Sequence, residues 1–310
     1  MRPLARRRRW GCLNVSDARS PITWERAAAI FGNPKPPKTV WEKQFDYNDD
    51  DLQRIARTPY EQFDFKDLWY YYHDLAYSKL QPDLFAYLFP VCLMHWHVTL
   101  QRNRGCGQGD ADFHYGLRQG DILRQMLTPE QRLAVYQFFR DSFLERLDIE
   151  RGFVRNHSKT PAYGWFHRFS DLGETIPRLD MIWNSWWTMK TPGQAVAVLQ
   201  YVSGLMYEAS ENPAFDVWTK EKGGGPPPRS SYCSSKWLDE NVRFLRATLT
   251  TDYVLERVTV AVDRLRAEHE SALARQFESD LKPRLHRVHR RIADVFTWKE
   301  EDGPLVDWSI

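Results

Sequence analysis

The sequence predicts an all-α protein: a multi-helix bundle with a buried apolar central helix, followed by a helical C-terminal unit beyond a Gly/Pro-rich linker. Three observations carry this. Apolar residues recur at spacings of three and four, as on one face of a helix. Two segments open with the same Thr-Pro-x-Gln start signal. No stretch shows the period-two alternation of a half-buried strand. At 310 residues, with 42% apolar and 27% charged, the chain is long enough for a substantial core and too apolar to be disordered.

Residues 1–20 read as a flexible basic arm, with Arg2, Arg6, Arg7, Arg8 and Arg9 and no acid before residue 10. Ser20-Pro21 opens a short helix through Ala27, Ala28 and Ala29, which Gly32 stops. Asn33-Pro34-Lys35-Pro36-Pro37 cannot be helix interior and is an extended loop. Asp49-Asp50-Asp51 falls in a polar, exposed stretch. Asp64 caps the next helix, with Leu68, Tyr72 and Leu75 on one stripe. Gln81-Pro82-Asp83 ends it. Leu84 to Arg102 is then helical and apolar nearly all round, the mark of a helix at the centre of a bundle, with a kink expected at Pro90. Gly105 to Asp110 is a loop.

Thr128-Pro129-Glu130-Gln131 has the N-cap, first-turn proline and Gln of a capping box, and Val135, Phe139, Phe143 and Leu147 follow as one stripe. Thr191-Pro192-Gly193-Gln194 repeats the signal, with Val198, Val202 and Leu205 behind it. Met126 matches Met189 and Glu145 matches Glu208, so the helices starting at 128 and 191 read either as an internal duplication or as two helices sharing a start signal. The main domain spans 21–219. Residues 220–231, with three glycines and three prolines in a row, are a linker. Residues 232–310 form the C-terminal unit, with helical stripes at Leu238–Leu249, Leu255–Leu265 (capped by Thr251) and Leu285–Val295.

The formal charge is +2. Without the five arginines of residues 1–9 it falls to −3, and without Lys282, Arg284, Arg287, Arg290 and Arg291 as well it falls to −8. An acidic body therefore carries a basic patch near each end. This excludes a uniformly basic nucleic-acid coat. Four scattered cysteines are no disulfide framework, and a reduced, cytoplasmic setting is expected. No apolar run reaches the roughly 20 residues of a membrane span, so no membrane partner is expected.

Three clusters are chemically suggestive. Trp165, Trp183, Trp186 and Trp187, with Arg178 and Asp180 beside them, offer a stacking surface for a partner or a wedge for the core. Arg287, Arg290 and Arg291, with His286 and His289, give the last helix a basic face. Cys92, His95, His97, Cys106 and His114 are the ligand types zinc prefers, but His95 and His97 are two apart and point to opposite sides of a helix. The GxSxG and HExxH motifs are absent, and Gly105-x-Gly107-x-Gly109 lacks the strand-before, helix-after setting of a phosphate loop. The leading expectation is a non-enzymatic protein that binds another protein through an aromatic and charged surface, with no cofactor. The alternatives are a zinc-type hydrolase built on residues 92–114 and a nucleic-acid binder acting through its basic ends.

Overall fold

The computed structural model describes residues 21–45, 49–102, 113, 116–117, 121–152, 162, 166, 169, 178–208 and 238–296. Their regular secondary structure is helical, with no strand among them. The helices are α1 (Trp24–Ala29), α2 (Asp49–Ile55), α3 (Trp69–Asp74), α4 (Pro82–Arg102), α5 (Ile122–Met126), α6 (Pro129–Asp148), α7 (Leu179–Trp187), α8 (Pro192–Met206), α9 (Asp239–Thr248), α10 (Thr251–Arg264), α11 (Ser271–Leu281) and α12 (Leu285–Phe296). The basic arm and the Gly/Pro linker expected at 1–20 and 220–231 lie outside the described residues.

Several helix starts differ from the sequence reading. Thr23, not Ser20, caps α1 by accepting the Arg26 amide. The helix ends where Gly32 and Asn33 take left-handed backbone and the Asn33 amide bonds back to Ala28. Asp49, Asp50 and Asp51 are the first turn of α2, where carboxylates complement the helix dipole. Asp64 instead caps a single 3-10 turn, Phe65–Leu68, that leads into α3. The cap of α10 is Thr250, one residue before the expected Thr251. Helix α11, whose Ala274, Phe277 and Leu281 face inward, was not anticipated.

Both Thr-Pro-x-Gln signals start helices as expected. Thr128 and Gln131 close a reciprocal capping box at α6. At α8 the hydroxyl of Thr191 caps the Gln194 amide, but the buried Gln194 side chain does not bond back to Thr191. Its oxygen accepts the Lys190 amide and its nitrogen donates to Asp148, the last residue of α6, at 2.8 Å. The Thr191 hydroxyl donates to the same carboxylate at 2.8 Å. The start of α8 is thus bolted to the end of α6.

The core is one continuous cluster. Helix α4 packs on α1 and α6, and α8 packs on α6, α7, α10 and α12. Helix α4 is largely buried, and Pro90 sits inside it without ending it. The helix buried on every side is α8, from Gly193 through Met206. Helices α10 and α12, which follow residue 238, therefore share a core with α8.

Candidate functional site

The tryptophans of α7 face inward. Trp183 and Trp186 have no exposed surface and Trp187 has 1%. Trp183 and Trp187, one turn apart, stack with ring centres 4.6 Å apart and planes 15° from parallel. Tyr201 of α8 meets all three rings edge-on at 5.5–5.7 Å, and Phe166 meets Trp183 at 5.3 Å. Tyr253 of α10 lies against Trp187, and its hydroxyl accepts the Trp183 indole N–H at 3.1 Å. Arg178 and Asp180 pair with each other at the surface. The docking surface expected at Trp183, Trp186 and Trp187 is thus corrected to an aromatic wedge joining α7, α8 and α10. Trp165 lies outside the described residues.

A polar cluster absent from the sequence reading lies between α4 and α6. The His97 Nδ1 is 2.7 Å from the Ser142 hydroxyl. Gln101, one turn along α4, donates to the Ser142 carbonyl. The His97 Nε2 faces the Glu145 carboxylate across 3.9 Å, and the other Glu145 oxygen accepts the Ile22 amide. Burial lowers the His97 pKa to about 4, so the ring is neutral near pH 7. Nearby, Asp141 is held by Arg26 of α1 and by Arg140.

Serine, histidine and glutamate in this order have the composition of a nucleophilic triad. The placement opposes that use, because Ser142 has no exposed surface and no substrate carbonyl reaches its hydroxyl. Ser142 and Glu145 are three apart on α6, and His97 is far away in sequence on α4. No local motif could have announced the cluster.

The zinc reading gains no geometry from the three candidate ligands that are described. Cys92 is buried with its thiol pKa pushed up by desolvation. The His95 ring stacks on Tyr72 at 5.3 Å and meets Phe65 tilted at 4.7 Å, while His97 points to α6. Among the described residues no three His, Cys, Asp or Glu side chains converge as a metal site. Cys106 and His114 lie outside them.

The basic residues of α12 are arranged differently. Val288, Val295 and Phe296 are buried, while His286, Arg287, His289 and Arg290 are exposed on the outer side. Lys282 is exposed at the N-terminal end, in the turn that leads into the helix. The Arg290 guanidinium pairs with Glu208, two residues past the end of α8. His289 meets the Thr251 hydroxyl at 3.3 Å. Lys282 and Arg287 have no ion-pair partner among the described residues. Arg246 of α9 donates to the Phe296 carbonyl and lies over its ring. Arg291, at the flank of the helix, is half-buried.

Comparison with protein families, with curated proteins and with solved structures finds no match to this chain. Its own geometry is therefore the only guide to what it does. The structure brings Trp183, Trp186 and Trp187 together in the core, and spreads Cys92, His95 and His97 over three environments. Of the sequence-predicted sites among the described residues, the outer side of α12 is the one that faces solvent. No helix among the described residues is long and apolar enough to cross a membrane.

Proposed function

We propose that this chain is a non-enzymatic helical interaction protein, and that another protein docks on the basic side of α12. One observation supports this over the other sites read from the sequence. Arg287 and Arg290 are fixed on a helix whose apolar face is anchored to α8 and α10, and both side chains are exposed to solvent. A rigid helix presenting exposed cations limits the entropy lost when a partner docks.

A photo-crosslinking residue placed at Arg287 tests the reading, with one at Arg264 of α10, also exposed, as the control. A protein crosslinked from position 287 and not from 264, and lost when Arg290 is replaced by Glu, is the expected result. Equal capture from both positions, or capture from neither, overturns it.

A further inference from the structure

The Glu208–Arg290 pair points to the partner's chemistry. Glu208 takes left-handed backbone just after α8, and this brings its carboxylate onto the outer face of α12. Both side chains remain well exposed, 40% for Glu208 and 63% for Arg290, so the pair closes at the surface and opens without disturbing the core. Arg287 lies on the same side of α12, one turn before Arg290, with its charge unpaired among the described residues. Cations one turn apart on a helix sit about 5–6 Å apart at Cβ, a spacing that matches carboxylates one turn apart on a facing helix.

We infer that Arg290 and Arg287 form a carboxylate-binding site for an acidic helical segment of a partner protein, and that Glu208 occupies part of this site in the free chain. The inference rests on the docking role proposed for α12 and adds the partner's class. Charge complementarity favours a short acidic segment over a nucleic acid. The rest of the chain, once its basic ends are set aside, carries −8, and a long polyanion lying across it would meet that charge. The basic face is also bounded, because Asp294 follows Arg290 by one turn. An arginine fork takes a carboxylate in a defined two-point geometry, which suits a site of two residues.

The site makes two predictions of opposite sign. Removing the arginines weakens binding. Removing Glu208, which competes for Arg290, strengthens it. The test measures anisotropy of a fluorescein-labelled helical peptide of about 20 residues carrying glutamates at i and i+3, titrated with the full chain. The double variant Arg287→Ala, Arg290→Ala is expected to bind at least about tenfold more weakly, the loss of one charge-assisted hydrogen bond or more. Glu208→Gln is expected to bind several-fold more tightly, and Arg264→Ala unchanged. Circular dichroism on each variant separates binding from folding.

Affinity unchanged in Glu208→Gln or in the double arginine variant overturns the inference. So does a double-stranded oligonucleotide that binds more tightly than the peptide, with affinity falling steeply as salt rises. If crosslinking from position 287 captures a protein while the peptide does not bind, the partner class is wrong and the docking role stands. If both experiments fail, both fall.

Discussion

Gly193 and Leu147 are in such close register that a methyl group placed on the glycine would overlap the leucine's carbonyl oxygen, and that of Asp148 beside it. The start of α8 reaches α6 this closely only because residue 193 has no side chain. Gly193→Ala should therefore destabilise the protein even though alanine is the better helix former by about 1 kcal/mol. Pushing two backbones apart costs about 1–3 kcal/mol net in comparable overpacked sites. Urea unfolding should show a lower midpoint with an unchanged slope.

The same junction makes a prediction about coupling. Thr191 and Gln194 both donate to Asp148, so their losses are not independent. Thr191→Val removes both the cap and the donor to Asp148, at a cost of about 1–2 kcal/mol. In a double-mutant cycle with Asp148→Ala, a coupling of at least about 0.5 kcal/mol is expected, against near zero with an exposed control such as Arg264→Ala.

The tryptophan wedge separates packing from hydrogen bonding. Trp183→Ala opens a cavity in a buried aromatic cluster and should cost about 3–5 kcal/mol. Tyr253→Phe keeps the ring against Trp187 and removes the acceptor for the Trp183 indole, for about 1–2 kcal/mol. Chemical denaturation gives both numbers. Equal losses in the two variants would contradict the arrangement.

Acid should weaken the fold through His97. Its pKa is lowered from 6.5 to about 4 by burial, so the unfolded chain takes up the proton first. The stabilisation is complete above pH 6.5 and is lost as the pH falls from 6.5 toward 4. That shift corresponds to an amount on the order of 3 kcal/mol. Unfolding free energies measured between pH 7.5 and 4.5 should fall by less in His97→Gln than in the parent chain, since glutamine carries no titrating group.

Arg146 and Glu150 form a buried pair one turn apart, at 3.0 Å, and Gln200 donates to the same carboxylate. Arg146→Met removes the counterion from a carboxylate that is 1% exposed and is expected to cost about 3–5 kcal/mol. Adding Glu150→Leu should recover part of that loss, because no buried charge then remains. Thermal melts of the single and double variants decide it.

What the sequence disclosed follows the range of each interaction. Thr128 and Thr191 announce helices because a cap acts within three residues. The two-sided character of α12 was legible for the same reason, since Val288, Val295 and the arginines alternate within one helix. The fate of Trp183 and Trp187 was not legible, because the rings that cover them belong to Tyr201 and Tyr253. The His97 cluster was hidden because His97 and Ser142 are 45 positions apart in the sequence. Leu84–Arg102 and Pro192–Met206 are both apolar nearly all round, and which is more enclosed depends on how many neighbours each acquires. That is a property of the whole chain, and α11 and the aspartate-led α2 were missed where weak local signals leaned on tertiary packing.

The enclosure of α8 has a consequence for the order of events during synthesis. Two of its walls, α6 and α7, precede it, while α10 and α12 follow after the ribosome has passed the Gly/Pro stretch. At roughly 5–20 residues per second, the interval between Met206 and Phe296 lasts on the order of 5–20 seconds. Throughout it the nascent polypeptide holds an apolar helix that lacks the walls α10 and α12 supply. A chain stopped in that window would be a substrate for chaperones and proteases, so premature termination after residue 206 is expected to eliminate the protein rather than leave a working fragment.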